Sequence, residues 1–104
     1  MIVTIANGQS ISSVADLGPS GHLLGFALPA AFSGATITFQ VSTDGVVYQA
    51  LHTPANAAIS FTVTQAKSYG FTADIINEMG NWRYIKFVSG SAEGAARDIA
   101  LWVR

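Results

Sequence analysis

The stretch ITFQVSTDGVVYQAL, residues 37–51, alternates apolar and polar side chains up to an Asp-Gly pair and resumes an apolar run beyond it. Successive side chains of a strand point to opposite faces, so Ile37, Phe39 and Val41 share one side and Thr36, Thr38, Gln40 and Ser42 the other. The apolar set is expected to face a core. Asp44 and Gly45 supply the positive φ that tight turns require and are read as closing a hairpin between Thr36–Ser42 and Val47–Leu51. A calcium site would need several converging oxygens, and the turn offers one carboxylate, so the turn reading is preferred.

The same grammar extends outward in both directions. Short β-type runs bounded by Gly, Pro, Asn and Ser predict strands at 2–6, 12–17, 22–28, 36–42, 47–51, 59–64, 68–72, 82–89 and 98–104. Eight to nine strands in one small chain predict an all-β fold, an antiparallel β-sandwich of the jelly-roll type. Ile75–Met79 is expected to form a single helical turn, with Asp74 as N-cap and Gly80 as its stop. The segment GSAEGAA, residues 90–96, reads as a flexible hairpin loop.

Alternation also assigns the remaining faces. Ile59, Phe61 and Val63 are expected inside, as are Ile99, Leu101 and Val103. If Ile85 and Phe87 point inward, Trp82, Tyr84 and Lys86 point outward, and Trp102 does so between Leu101 and Val103. Joined through the Gly-rich loop, these residues are expected to share one outer face, and exposed aromatics on a sheet mark a partner surface. The run GFALPAAF, residues 25–32, reads as a central strand buried on both sides; the other reading has Pro29 and Phe32 protruding as an apolar tip.

With 104 residues the chain is expected to be one domain, 1–104. Only 11% of its residues are charged, well under the roughly 25% of a typical soluble domain. The net charge of −1 provides no basic patch, so nucleic acid is not an expected partner. Weak repulsion between copies instead favours self-association. The absence of cysteine leaves no disulfide framework or thiolate metal site. No signal-peptide pattern opens the chain and no apolar run approaches the roughly 20 residues that cross a bilayer, so synthesis in the cytoplasm and no membrane partner are expected.

Catalytic patterns are missing. His22 and His52 have no metal-ligand spacing, the serines form no G-x-S-x-G elbow, and the six acidic residues lie scattered. No enzymatic activity, metal or cofactor is expected.

The segments SVADLG, HLLGFALP, ITFQVSTDGVVYQAL, WRYIKFVSG and DIALWVR, taken in order, resemble the small jelly-roll structural proteins of tailed bacteriophages and prophages. A more distant similarity runs to discoidin-like domains, through Asp16–Gly18, Ser42–Tyr48 and Arg83–Lys86, although this chain is shorter and has no cysteine. The phage resemblance implies a virion protein made in the host bacterial cytoplasm. Its role would be that of a capsid decoration (cement) protein or an accessory head or tail protein, forming a homo-oligomer, a trimer by first expectation, and docking on the major capsid or another virion protein. The alternative is a carbohydrate-binding module that uses the outward aromatics as stacking platforms. Few polar groups accompany them beyond Gln40, Lys86 and Arg104, which favours assembly.

Overall fold

The computed structural model describes residues 1–79 and 82–104. Its elements are β1 (Ile2–Ile5), β2 (Ala15–Asp16), β3 (Leu23–Ala27), β4 (Thr36–Ser42), β5 (Gln49–Ala50), β6 (Ser60–Thr62), β7 (Ser68–Gly70), α1 (Ala73–Met79), β8 (Tyr84–Ser89) and β9 (Arg97–Val103). The strands form two antiparallel sheets packed as a β-sandwich. One has the order β1-β9-β3-β7; the other has the order β2-β8-β4-β5, with β6 also pairing with β4. Every predicted strand is present, several of them shorter than the sequence pattern implies.

The hairpin at the centre forms as its sequence dictates. Ile37, Phe39 and Val41 are buried, β4 pairs with β5 through Gln40–Ala50 and Val41–Gln49, and Gly45 adopts a φ of 77°. The turn is knotted by side chains. The Ser42 hydroxyl donates to Asp44 Oδ1 at 2.8 Å and accepts from the Gly45 amide at 2.9 Å, while Asp44 Oδ1 also accepts from the amides of Val46 and Val47 at 2.9 and 3.1 Å.

Between the sheets lies an aromatic core. Phe87, with no exposed surface, comes from one sheet and packs edge-on against Phe39 of the same sheet at 5.0 Å and Phe26 of the other at 5.4 Å. Phe61 and Phe71 stack beside them at 5.2 Å. Of the run at 25–32, only the part up to Ala27 is central strand: β3 lies between β9 and β7 and ends there, and the chain then turns at Pro29, with Phe32 1% exposed. The alternative of an apolar tip is therefore corrected. The Phe32 amide donates to the Pro29 carbonyl at 3.2 Å, and this turn folds the ring back into the core, leaving half-buried Pro29 beside exposed Ala30 and Ala31.

Two further expectations change. Helix α1 begins earlier than the sequence pattern implied and runs seven residues, about two turns. Its cap is Thr72, whose hydroxyl accepts from the Ile75 amide at 3.3 Å; Asp74 lies within the first turn instead. The predicted stop at Gly80 lies outside the described residues. The 90–96 loop is neither a hairpin nor loose, because β8 and β9 belong to different sheets and the loop crosses between them. Glu93, 1% exposed, anchors it. Its carboxylate accepts from the Ser33 and Gly34 amides at 2.9 and 3.1 Å, from the Ser89 hydroxyl at 3.1 Å and from Arg97 Nε at 3.1 Å. Its own amide and carbonyl bond Gln9 and Gly8. One residue thus ties together the β1–β2, β3–β4 and β8–β9 connections.

Candidate functional site

The separation of β8 from β9 rearranges the expected partner surface. Tyr84 and Lys86 stand on the outer face of one sheet and Trp102 on the outer face of the other, so the four residues Trp82, Tyr84, Lys86 and Trp102 do not share a face. Trp82 belongs to neither. It precedes the first residue of β8, where strict alternation has not begun, and packs half-buried against the core.

The Tyr84 face is occupied by contacts within the chain. The Tyr84 ring lies over Gly45, where an added Cβ would approach it to 3.3 Å. Arg83 sits 5.0 Å from the Tyr84 ring centroid and its Nε donates to Asp16 Oδ1 at 2.9 Å. Lys86 Nζ lies 4.2 Å above the Tyr48 ring, a favourable placement of a cation on an aromatic face. The Arg83 guanidinium bonded to Asp16 holds that carboxyl below its ordinary range. At Asp44, the amides of Val46 and Val47, with the Ser42 hydroxyl, do the same, so both carboxylates stay charged under ordinary conditions.

Tyr48 carries an anomaly. Its hydroxyl is buried and has no hydrogen-bond partner among the described residues, and desolvation raises its pKa. An unpaired buried hydroxyl is a cost of order 1 kcal/mol. Tyr48→Phe is accordingly expected to leave stability unchanged or raise it by up to about 1 kcal/mol, read by urea denaturation. A loss above that amount would mean that the hydroxyl has a partner in solution.

The Trp102 face has the opposite character. Trp102 is 64% exposed and Ile2 62%, and both stand over a floor of small residues. In register, Gly25 neighbours Trp102 and Gly70, and Ala27 neighbours Ala100 and Ser68. With no bulk around it, the indole forms one wall of a cavity of about 290 Å³ that Phe26, Ala27, Ser68, Tyr69 and Gly70 complete. The charge at the end of this surface, Asp98, is engaged by the Thr4 hydroxyl at 2.7 Å. Alternation could identify Trp102 as outward-facing, but the glycine and alanine floor depends on cross-strand register and was missed.

His22 is half-buried where its backbone pairs with Arg104, and His52 is exposed. Among the described residues, no three His, Cys, Asp or Glu side chains gather closely enough to hold a metal ion. No protein-family model, curated protein or solved structure matches the chain.

Proposed function

We propose that this protein is a non-enzymatic structural component of a virion, a capsid decoration (cement) or accessory head or tail protein that oligomerises and docks on the particle lattice. The single observation that carries the reading is the Trp102 face. An indole left 64% exposed on a floor of Gly25, Gly70, Ala27 and Ala100 is a large apolar group in a setting where folding alone gives it little to do. Tryptophan is enriched among residues that dominate binding energy, and flat small-residue surroundings let a partner approach its rim and both sheet strands.

The interleaving of the strands supports a jelly roll. With β5 and β6 taken as one strand interrupted by the 51–59 excursion along β4, the described residues form eight strands, and each sheet alternates early with late strands. Such domains pack side by side around symmetry axes, with a trimer as the first expectation here. The carbohydrate-module alternative relied on aromatics gathered on one face, and their division between opposite sheets removes that support.

Truncating a tryptophan at the heart of an interface typically costs about 2 kcal/mol or more, which corresponds to roughly 30-fold in affinity. Trp102→Ala is therefore expected to weaken self-association or lattice docking by at least that factor while leaving the melting temperature within a few degrees of wild type. Sedimentation velocity and thermal melts on the same samples check both halves. Unchanged association would remove Trp102 from the interface.

A further inference from the structure

The β4–β5 hairpin extends beyond the cover of the opposite sheet. Gln49 is in register with Val41, so the pleat aims both at the core side, yet Val41 is 5% exposed while Gln49 is exposed and Val47, two residues earlier, is 63% exposed. The mouth of the sandwich is therefore open at this point. Trp82, arriving from the α1–β8 connection, closes one side and leaves a cleft of about 210 Å³ bounded by Val41, Thr43, Asp44, Val47, Gln49 and Trp82. It is smaller than the roughly 300–1,000 Å³ of pockets for drug-sized ligands and suits one side chain or one small ring.

The rim is rigid and charged. Asp44 Oδ1 is consumed by the Ser42 hydroxyl and the amides of Val46 and Val47, which lock the carboxylate in place, whereas Oδ2 has no hydrogen bond among the described residues. Asp16 and Glu93 each have an arginine, but no basic side chain among the described residues lies within ion-pair distance of Asp44. A fixed, uncompensated carboxylate beside an aromatic residue and two valines is complementary to a cation carried on an apolar stem.

We propose that this cleft receives a lysine or arginine side chain of the protein partner, its methylene stem against Val41, Val47 and Trp82 and its charged head at Asp44. The inference deepens the docking reading and rests on it. A sugar ring would hydrogen-bond Asp44, Thr43 and Gln49 through its hydroxyls but would bring no countercharge to the carboxylate.

The test is an NMR titration of the full chain with Nα-acetyl-lysine amide and Nα-acetyl-arginine amide, following the Trp82 indole N–H and the Gln49 side-chain amide. The uncharged Nα-acetyl-norleucine amide and methyl α-glucoside serve as comparisons. Saturable shifts from a basic probe, with a dissociation constant of about 1–10 mM, are expected. They should weaken with added salt and disappear in Asp44→Asn, which keeps a carbonyl oxygen for the turn amides. Thr43→Lys, which places a tethered ammonium at the rim, should block the probes as well and serves if Asp44→Asn does not fold. Equal shifts from norleucine amide, shifts from the glucoside alone, or no shift from either basic probe would overturn the proposal. Because this titration reads the free chain, such a result would leave the Trp102 surface and its association test standing.

Discussion

Glu93→Ala is expected to destabilise the domain by about 3–5 kcal/mol, the cost of removing one partner of a buried, hydrogen-bonded ion pair. At 4–8 °C per kcal/mol for a domain of this size, the melting temperature should fall by at least about 12 °C. The change strips acceptors from two backbone amides, a hydroxyl and the Arg97 guanidinium at once. Glu93→Gln should be costly too. Both oxygens act only as acceptors here, so an amide necessarily places an NH₂ group against a donor.

The same site sets an acid limit on stability. Burial raises the Glu93 pKa, but the bonds from Ser33, Arg97 and Ser89 outweigh it and leave the group below its ordinary value of 4.5. A carboxylate with a depressed folded pKa contributes stability that is fully present above its unfolded pKa and is lost as pH falls through the folded one. Wild-type stability should therefore decline below about pH 4.5, and Glu93→Gln should flatten that decline. Thermal melts of the two proteins between neutral and acid pH measure it; parallel profiles would assign the acid sensitivity elsewhere.

Phe87→Ala is the second large effect, with an expected cost of about 3–5 kcal/mol for emptying a fully buried phenylalanine site. The ring joins the layers, edge-on to Phe39 in its own sheet and to Phe26 across the sandwich. Its loss should both open a cavity and loosen the packing of one sheet on the other. Since domains of this kind have only about 5–15 kcal/mol in hand, the variant should unfold at far lower urea. Phe87→Leu, which refills most of the volume, should recover much of the loss. A cost below about 1 kcal/mol for the alanine would contradict the placement of Phe87 at the centre of the core.

These two residues also show what the sequence makes legible. Phe87 lies in WRYIKFVSG, where period-two alternation puts it on one face with Ile85, and that face is the buried one. Local pattern is enough for the presence of every strand, though not for the ends of several, and for the Asp44–Gly45 turn, because each is dictated by neighbours a few positions away. Glu93 sits among glycine, alanine and serine, a composition that resembles a loose loop. Its partners Ser33 and Gly34 are 60 and 59 residues distant in the chain. The available hint was its place four residues before Arg97, a spacing that alone decides nothing in a loop.

Sheet membership was equally hidden. Trp102 was correctly read as outward, but whether its face is also that of Tyr84 depends on the crossover between β8 and β9. Strand alternation carries no information about crossovers. Trp82 departs from alternation for a smaller reason: it lies two residues before the strand begins at Tyr84. Phe32 is drawn inward by the turn at Pro29, beyond the end of the strand at Ala27, an outcome that neither reading of its apolar run contains.

Burial of the Trp102 face against other copies, as proposed, is read from the solution mass of the purified chain by light scattering coupled to size exclusion across a concentration series. The expected mass is a whole multiple of the monomer, three copies by first expectation, falling toward the monomer in Trp102→Ala at the same concentrations. A wild-type chain that stays monomeric at the highest concentration, with Trp102 equally solvent-exposed by fluorescence quenching throughout, would contradict self-assembly through this face.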